Sequence, residues 1–409
     1  MRFLIYGINF LPELTGTGKY TGEMAVWLAA RGHEVRVVTA PPYYPQWRLQ
    51  SGYSGRRYRR EQTNGVHAYR CPLWVPRRLS GLKRLLHLAS FALSSFPLLL
   101  WLALRRRPDV VLVVEPTGFC IPGAWLASRI GGSAVWLHVQ DFELDAAFDL
   151  GMLQGTWLRR CSLAMERFWM RRFERVSTIS ERMLERLEPK AVPQERRVLF
   201  PNWVDTDAIY PMTTVSPLRG ELGIPVAGMV ALYAGNLGAK QGLEILVQAA
   251  QRLTDRKDVL FIICGEGGER QTLQAQAQGL GNIRFLPLQP VERLNDLLNL
   301  ADIHLLPQRE DAADLVMPSK LTGMLASGRP VIATAQPDTQ VGKVVSGCGI
   351  LVPPGDPAAF ASAISQLADS PAQRQALGVQ ARRYAETHLD KERILSALES
   401  NLLSLVRRR

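Results

Sequence analysis

The stretch YAGNLGAKQGLE, residues 233–244, follows the apolar run Met229–Leu232. This pattern predicts a buried strand, a glycine-rich turn and a helix that opens at about Gly242. Glycines at positions 235, 238 and 242 let the backbone approach a ligand, and the first N–H groups of a helix have no intrahelical partner. With Lys240 beside them, these donors suit a diphosphate; the alternative is an ordinary βα turn with a surface lysine.

The same succession of strand, turn and helix recurs along the chain. Strands are predicted at Phe3–Tyr6, Val35–Thr39, Ala68–Arg70, Val110–Val114, Ala134–Val139, Arg175–Ile179, Val230–Tyr233, Leu260–Cys264, Ile283–Phe285, Ile303–Leu306, Val331–Thr334 and Ile350–Val352. Because helical stretches separate them, the strands are expected to form parallel sheets that bind ligands at their carboxyl ends. The turn-rich segment PNWVDTDAIYP, residues 201–211, is expected to link two such domains. The sequence therefore predicts an α/β protein with two Rossmann-like domains that face a central cleft.

The composition is that of a folded globular protein. The chain has 409 residues, of which 47% are hydrophobic and 21% charged, enough for two cores of ordinary size. Its five cysteines are scattered without a CxxC pair, which argues against a disulfide framework or a zinc site and fits a reducing cytosol. The opening run RFLIYGINF lacks the pattern of an export signal.

The net charge of +12 is concentrated between Gln62 and Pro108, where eight Lys and Arg residues occur without an acidic residue. This interval contains an uncharged stretch, residues 85–104, that is long enough to span a bilayer. His87, three serines and Pro97 reduce the apolar character of this stretch. We therefore expect residues 77–107 to lie on an anionic membrane surface instead of spanning the bilayer. The residues expected to insert are Leu98, Leu99 and Trp101. A buried pair of helices broken at Pro97 is the alternative, and nucleic-acid binding is not expected because no stacking aromatics alternate with the basic residues.

Two N-terminal segments have the composition of a binding site. The segment NFLPELTGTGKYTGEM, residues 9–24, places Gly16 and Gly18 between a strand and a helix, without the dinucleotide-binding GxGxxG pattern. The segment WLHVQDFELD, residues 136–145, places His138 and Asp141 at the end of a strand. There a histidine can bind a sugar hydroxyl or accept a proton. A satisfied buried histidine and a helix-capping aspartate are the alternative.

Three C-terminal segments are candidates for nucleotide binding. A strand leads into the Gly265–Glu266 turn, where the carboxylate suits ribose or base hydroxyls, although such a residue also favours a helix start. The segment FLPLQP, residues 285–290, could offer backbone groups near Leu288 to a purine edge. Finally, Pro318, Ser319 and Lys320 precede a helix that ends at Gly328, which gives a second lysine-bearing helix start.

Taken together, the paired domains, the GxG turn, the His-Asp element and the two lysine-bearing turns resemble a GT-B fold glycosyltransferase of family 4. The segments RRLSGLKRLLHLASFALSSFP, AGNLGAKQGLE and YAETHLDKERIL are similar to those of the colanic acid biosynthesis fucosyltransferase group. The similarity extends from residue 1 to about residue 395. It implies an acceptor-binding, membrane-associating domain over residues 1–200, a nucleotide-sugar-binding domain over 201–385, and a final helix over 386–409 that returns to the first domain.

The resemblance implies a retaining, metal-independent transfer of a sugar from a nucleotide-sugar, GDP-L-fucose, to a lipid-linked saccharide at the cytoplasmic membrane face, without a cofactor. Lys240 would stabilise the leaving diphosphate, and His138 and Asp141 would lie in the same cleft. The residues implied in nucleotide-sugar binding are Gly16, Gly18, Gly235, Asn236, Lys240, Gly265, Glu266, Leu288, Pro318, Ser319 and Lys320.

The chain departs from the family pattern at two places. Many members carry an arginine where Asn236 stands, and many carry two glutamates where this chain has Leu315 and Gly323. Glu310, Asp311 and Asp314 are then the candidate contacts of the donor sugar. Two other functions stay open: another GT-B sugar-nucleotide enzyme such as an epimerase, and a nucleotide-sugar-binding partner protein with little activity.

Overall fold

The computed structural model describes residues 1–13, 16–76, 81–116, 118–142, 155–238, 241–309 and 318–407. The chain forms two compact units. The N-terminal unit comprises Met1–Pro201 and Ile394–Arg409, and the C-terminal unit comprises Asn202–Arg393.

The N-terminal unit contains an eight-stranded sheet in the order β3-β4-β2-β1-β5-β6-β7-β8. Its strands are β1 (Arg2–Tyr6), β2 (Glu34–Thr39), β3 (Arg59–Thr63), β4 (Val66–Arg70), β5 (Val110–Glu115), β6 (Ala134–Val139), β7 (Arg175–Thr178) and β8 (Arg197–Leu199). All neighbours pair in parallel except β3 and β4. The sequence predicted this sheet apart from β3 and β8; β3 reads RREQT and lies mostly exposed at the edge, so it lacks the apolar pattern of a strand.

The helices described in this unit are α1 (Gly16–Ala30), α2 (Gly81–Arg106), α3 (Cys120–Gly131), α4 (Thr156–Met170) and α5 (Glu181–Glu185), with a 3₁₀ turn at Gln194–Arg196. The final helix of the chain, α14 (Lys391–Arg407), crosses the boundary between the two units. Its Glu399 carboxylate accepts a hydrogen bond from His33 Nε2 at 2.7 Å and pairs with Arg31 at 3.0 Å. These contacts hold the middle of α14 against the turn that follows α1.

Helix α2 is one continuous helix through Pro97 rather than a broken pair. By length and composition it is apolar enough to cross a membrane, yet a stripe of it packs on the unit's core, including Phe91, Ser95 and Leu99. The Ser95 hydroxyl lies 2.7 Å from the Tyr6 hydroxyl. The expectation that Leu99 inserts into a membrane is therefore wrong, because that side chain is fully buried in the protein, whereas Trp101 is exposed.

The C-terminal unit contains a six-stranded parallel sheet in the order β11-β10-β9-β12-β13-β14. Its strands are β9 (Met229–Ala234), β10 (Val259–Cys264), β11 (Ile283–Leu286), β12 (Ile303–Leu306), β13 (Val331–Thr334) and β14 (Gly349–Val352). The described helices are α6 (Pro217–Glu221), α7 (Glu244–Arg252), α8 (Arg270–Gln276), α9 (Leu294–Leu300), α10 (Ser319–Ala326), α11 (Gln340–Val345), α12 (Pro357–Asp369) and α13 (Pro371–Tyr384). Short turns at Val291–Arg293 (3₁₀) and Ala385–Leu389 (π) complete the list.

Every strand that the sequence predicted in this half is present. Helix α12 begins at Pro357, because the proline occupies the first turn and the Asp356 carboxylate accepts hydrogen bonds from the amides of Ala358 and Ala359. Buried apolar residues cover one face of the sheet under α7 and α12 and the other under α9. Both faces of the parallel sheet are thus covered, which leaves its carboxyl edge for ligands.

Candidate functional site

The order of the strands places a crevice at the carboxyl end of β9. Strand β9 lies between β10 and β12, so the chain leaves it in one direction and later returns on its other side. Open parallel sheets bind ligands at such a switch point. The turn that begins at Gly235 lies directly at this place, which is where the sequence predicted a diphosphate site.

Two glycine turns stack backbone to backbone at this edge. The amide of Gly235 donates to the Cys264 carbonyl at 2.9 Å, and the amide of Leu237 donates to the Glu266 carbonyl at 2.9 Å. A Cβ atom on Gly265 would lie 1.9 Å from the Gly235 carbonyl oxygen, and Gly265 has a φ of +149°. Glycine is therefore required at Gly265 by the packing of the two turns, apart from any contact with a ligand.

Lys320 extends from the first turn of α10 to the Gly235 turn. Its Nζ donates to the Tyr233 hydroxyl at 3.0 Å and to Gln241 Oε1 at 2.9 Å. The side chain passes close to Gly235, where a Cβ atom would lie 3.4 Å from Lys320 Cδ. The Tyr233 hydroxyl in turn donates to the Asn236 carbonyl at 2.7 Å. A chain of hydrogen bonds thus fixes the lysine to the turn that follows β9.

The partners of Lys320 are neutral. Within the part of the chain that the structure describes, no carboxylate forms an ion pair with its ammonium. Burial without a counter-charge lowers the pKa of Lys320 to about 7. Burial also raises the pKa of Tyr233, which keeps the phenol protonated. An ammonium in this environment gains most from an anion brought to it, so the arrangement can bind a phosphate group.

The far side of the Gly235 turn approaches the end of β12. Gly242 has a φ of +63°, and a Cβ atom there would lie 3.1 Å from Arg309 Cγ. The Gln308 amide donates to the Thr334 hydroxyl at 2.6 Å, which ties the segment after β12 to β13. Arg309 is an exposed cation beside the turn. It lies where the carboxyl ends of β9 and β12 meet, close to the turn that contains Asn236.

The start of α10 differs slightly from the prediction. Pro318 precedes the helix as its N-cap residue, whereas Ser319 and Lys320 belong to the first turn of the helix instead of preceding it. Ser319 is exposed. Gly323 lies inside α10, where a Cβ atom would lie 3.2 Å from Leu298 Cδ1.

The predicted nucleoside contacts lie at the neighbouring strand ends. Glu266 is exposed and lies 3.5 Å from the Arg270 guanidinium. Arg270 also donates to the Leu286 carbonyl at 3.0 Å, which connects the turn after β10 to β11. Leu288 follows β11 and is 67% exposed. Both predicted residues are therefore accessible at the carboxyl edge of the sheet.

In the N-terminal unit, Gly16 and Gly18 belong to the first turn of α1 and not, as predicted, to a turn that precedes the helix, and Glu13 lies against Gly18. The buried Glu13 carboxylate accepts hydrogen bonds from the amides of Tyr43 and Tyr44, each at 2.9 Å, and from Asn9 Nδ2 at 2.9 Å. A Cβ atom on Gly18 would lie 2.8 Å from the Glu13 side chain. Gly18 therefore makes room for this carboxylate, whose pKa is raised by burial.

His138 lies within β6 and is buried. Its Nδ1 is 2.9 Å from the Ser177 hydroxyl and its Nε2 is 2.9 Å from Gln140 Nε2. Burial lowers the pKa of His138 to about 3, so the ring is neutral. This geometry is that of the satisfied core histidine that the sequence left open as an alternative, and a catalytic role for His138 stays a prediction. Asp141 follows two residues beyond the strand and is partly buried.

Several predicted residues lie outside the described residues: Lys240, Glu310, Asp311, Asp314 and Leu315. Sequence reasoning also missed several residues that the fold brings to the two turns: Glu13, Tyr233, Gln241 and Arg309. Tyr233 and Gln241 belong to the stretch that was singled out for its glycines. Their connection to Lys320 spans 87 and 79 residues along the chain, which no local pattern could indicate.

Comparison with known proteins agrees with this architecture. Residues 15–203 match the glycosyl transferase 4-like domain, and residues 228–370 match the glycosyl transferases group 1 domain. The chain is 44% identical over 407 residues to the colanic acid biosynthesis glycosyl transferase WcaI of Escherichia coli K12, covering 97% of this chain and 98% of that protein.

Solved structures share the fold at low sequence identity. Sucrose-phosphate synthase from Thermosynechococcus elongatus has a TM-score of 0.76 at 17% identity, covering 100% of this chain and 99% of that one. Anabaena Alr3699/HepE in complex with UDP has a TM-score of 0.70 at 16% identity, covering 99% and 100%. The chain belongs to the GT-B glycosyltransferases of family 4, together with the colanic acid biosynthesis glycosyl transferases.

Proposed function

We propose that this glycosyltransferase moves L-fucose from GDP-L-fucose to a lipid-linked saccharide during synthesis of a colanic-acid-like exopolysaccharide. The polysaccharide class is supported by 44% identity to a colanic acid biosynthesis glycosyl transferase over nearly the whole chain. The choice of GDP and fucose is supported by the resemblance of the sequence motifs to the fucosyltransferase group. The single observation that carries a nucleotide-sugar site is Lys320, whose ammonium is held against the Gly235 turn by neutral oxygens.

In the proposed reaction the bond between the donor sugar and the diphosphate breaks, and the acceptor hydroxyl forms the new bond on the same face of the sugar. Because the new bond forms on the face from which the diphosphate leaves, configuration is retained. The leaving diphosphate takes the acceptor proton, so no protein base is needed. Lys320, Arg309 and the backbone amides of the glycine turns offset the charge that develops on the diphosphate. We expect Lys240 to add a further positive charge. A metal ion is not required in this scheme, because cationic side chains balance the negative charge of the leaving diphosphate.

The proposed location is the inner face of the cytoplasmic membrane, where a lipid-linked acceptor resides. Helix α2 carries exposed Leu93, Trp101 and Leu104 on the side opposite its buried stripe, and Arg105 and Arg106 end it. Amphipathic helices of this kind bind at the interface of anionic membranes. Since Phe91, Ser95 and Leu99 pack on the core, an interfacial position keeps the fold intact, whereas a spanning one would remove the helix from it.

Nucleotide-dependent thermal unfolding tests the donor. GDP, UDP, ADP and TDP are added to the wild type and to Lys240→Ala and Lys320→Met. The matched control is Lys343→Met, which replaces an exposed lysine of α11. A nucleotide at about 100 times its dissociation constant adds roughly 2.7 kcal/mol to the free energy of unfolding. We expect GDP to stabilise the wild type and Lys343→Met but neither site variant. Stabilisation by UDP alone would support a glycosyltransferase but exclude GDP-fucose as its donor.

Transfer itself is measured with labelled GDP-fucose and lipid-linked saccharides extracted from producing cells. We expect label in the lipid fraction, with the same anomeric configuration as the donor and equal yield in a metal chelator. The second candidate, a nucleotide-sugar-binding protein with little activity, is favoured by Gly323 at a position where the family carries a glutamate. Stabilisation by GDP without any transfer would support that candidate.

A further inference from the structure

We propose that the membrane-docking surface is a layer of three helices, α2, α3 and α4, and that α4 supplies its aromatic anchors. This inference rests on the proposed membrane location and extends it to residues far outside segment 77–107. Henceforth the three helices are called the three-helix layer.

The topology places these helices on one face of the sheet. Helix α2 connects β4 to β5, α3 connects β5 to β6, and α4 precedes β7, while the strand order β4-β2-β1-β5-β6-β7 advances in one direction. Right-handed crossovers that advance in one direction put their helices on the same face. Contacts between the helices agree with this placement. A Cβ atom on Gly123 of α3 would lie 3.0 Å from the Phe96 ring of α2. The ring centres of Trp125 on α3 and Trp169 on α4 are 5.9 Å apart.

The outer side of each helix is apolar. On α2, Leu93, Trp101 and Leu104 are exposed, with Leu93 at 76%. On α3, Leu126 and Ile130 are exposed, one turn apart. The spacing on each helix is helical, so the residues form stripes that face away from the sheet.

Helix α4 has the same character. Its exposed residues include Trp157 at 75%, Met165 and Phe168, spaced so that they share one face of the helix. The opposite face carries Glu166, which pairs with the buried Lys190, and Trp169, which contacts α3. The apolar face of α4 is therefore directed away from the protein. Tryptophan and phenylalanine are typical residues at the headgroup boundary of a bilayer.

The net charge of the three-helix layer indicates what kind of surface it binds. The three helices together contain eight Lys and Arg residues and one acidic residue, and that residue, Glu166, is ion-paired inside the protein. Apolar stripes flanked by unbalanced positive charge fit the acyl boundary and the anionic headgroups of a membrane. A protein partner would need an acidic apolar surface of matching size. We therefore assign the layer to an anionic lipid surface.

Binding through the three-helix layer determines how the N-terminal unit lies on the membrane. The three helices lie against the sheet and would lie flat on the membrane, which places the sheet parallel to the bilayer. One layer of helices then separates the sheet of the N-terminal unit from the membrane surface.

The experiment is co-sedimentation of the full chain with vesicles of phosphatidylcholine alone or mixed with phosphatidylglycerol. The test variants are Trp157→Ser/Phe168→Ser on α4 and Leu93→Ser/Trp101→Ser on α2. The matched control, Val226→Ser/Val379→Ser, removes exposed apolar residues from the C-terminal unit. We expect each helix variant to bind mixed vesicles at least about tenfold more weakly than the control, and all forms to bind neutral vesicles weakly.

Cys161 provides an independent readout, because it is exposed on α4 while the other four cysteines are buried. The emission of a polarity-sensitive fluorophore on Cys161 should shift to the blue when mixed vesicles are added. High salt should return the emission to its original wavelength. Loss of binding in the α2 variant alone, with no shift at Cys161, would overturn the three-helix layer but leave attachment through α2. Unchanged binding of both variants would overturn the membrane location altogether. Stabilisation by GDP is expected to be unchanged in all variants, so the nucleotide site is judged separately.

Discussion

The ammonium of Lys320 lies 3.0 Å from the hydroxyl oxygen of Tyr233, although 87 residues separate the two in the chain. Tyr233 is the penultimate residue of β9 and Lys320 belongs to the first turn of α10. The nitrogen also lies 4.3 Å from the centre of the Tyr233 ring, a cation–π distance. The phenol therefore holds a cation at the switch point of the sheet without neutralising it.

Removing this cation is expected to stabilise the ligand-free protein. The Lys320 pKa is about 7 in the folded state against an ordinary 10.5, so the cost of burying the ammonium is full below pH 7 and disappears as pH rises towards 10.5. We expect Lys320→Met to raise the free energy of unfolding at pH 6 by about 1 kcal/mol, and by less at pH 9. Urea unfolding measures this, with Lys343→Met as the control. A loss of stability at pH 6 would show that the lysine contributes to the fold instead.

The same lysine makes donor binding depend on pH. A diphosphate beside the ammonium raises the pKa of Lys320 above its ligand-free value of about 7, so binding takes up a proton above that pH. We expect the dissociation constant of GDP-fucose to rise from pH 7 to 9 by up to about tenfold per pH unit. Calorimetry in buffers of different ionisation enthalpy measures the proton uptake. The Lys320→Arg variant should bind GDP-fucose without proton uptake, because arginine does not deprotonate. Equal proton uptake in this variant would assign the proton to another group.

The stacked glycine turns give a matched pair of substitutions. In Gly265→Ala the new methyl group would meet the Gly235 carbonyl oxygen at 1.9 Å, at a φ of +149°. Gly268→Ala meets no atom within 4 Å and requires no unusual backbone angle. We expect Gly265→Ala to lower the free energy of unfolding by about 3 kcal/mol or more and to abolish stabilisation by nucleotide, and Gly268→Ala to do neither. Circular dichroism melts with and without GDP decide this; equal behaviour of the two variants would contradict the stacking.

His138 is expected to make the N-terminal unit sensitive to acid. Its folded pKa is about 3 against an ordinary 6.5, so the unfolded chain binds the proton first and stability falls as pH drops from 6.5. The loss is at most about 1.4 kcal/mol per pH unit for one such residue. We expect His138→Gln to unfold with a shallower pH dependence, measured by urea titration from pH 7.5 to 5. An unchanged dependence would mean that the ring is already charged or exposed.

The same variant separates the two roles of His138. A kcat within a few-fold of wild type, at a pH where the variant is folded, would assign the residue to the core. A fall of a hundredfold or more would support the predicted catalytic role.

Local patterns of the sequence determined most of the secondary structure. Most of the parallel strands are short apolar runs, β9 and β10 lead directly into glycine, and α12 begins at Pro357 after its cap Asp356, so each could be recognised within about fifteen residues. Strand β3 could not, because its residues RREQT pair at an edge and bury little apolar surface. The apolar stretch of α2 was recognised, but which of its residues face the core was not. That depends on contacts such as Ser95 with Tyr6, 89 residues away.

The sequence by itself determined that the chain has two α/β units, that a turn beginning at Gly235 follows a strand, and that the family is glycosyltransferase family 4. These properties reside in short motifs whose physics is local. The tertiary structure decided that Lys320 is tied to Tyr233, that Gly265 is needed for the neighbouring turn, and that His138 is enclosed by Ser177 and Gln140. Each of these depends on which strands lie side by side, and strand order is set by the packing of the whole unit.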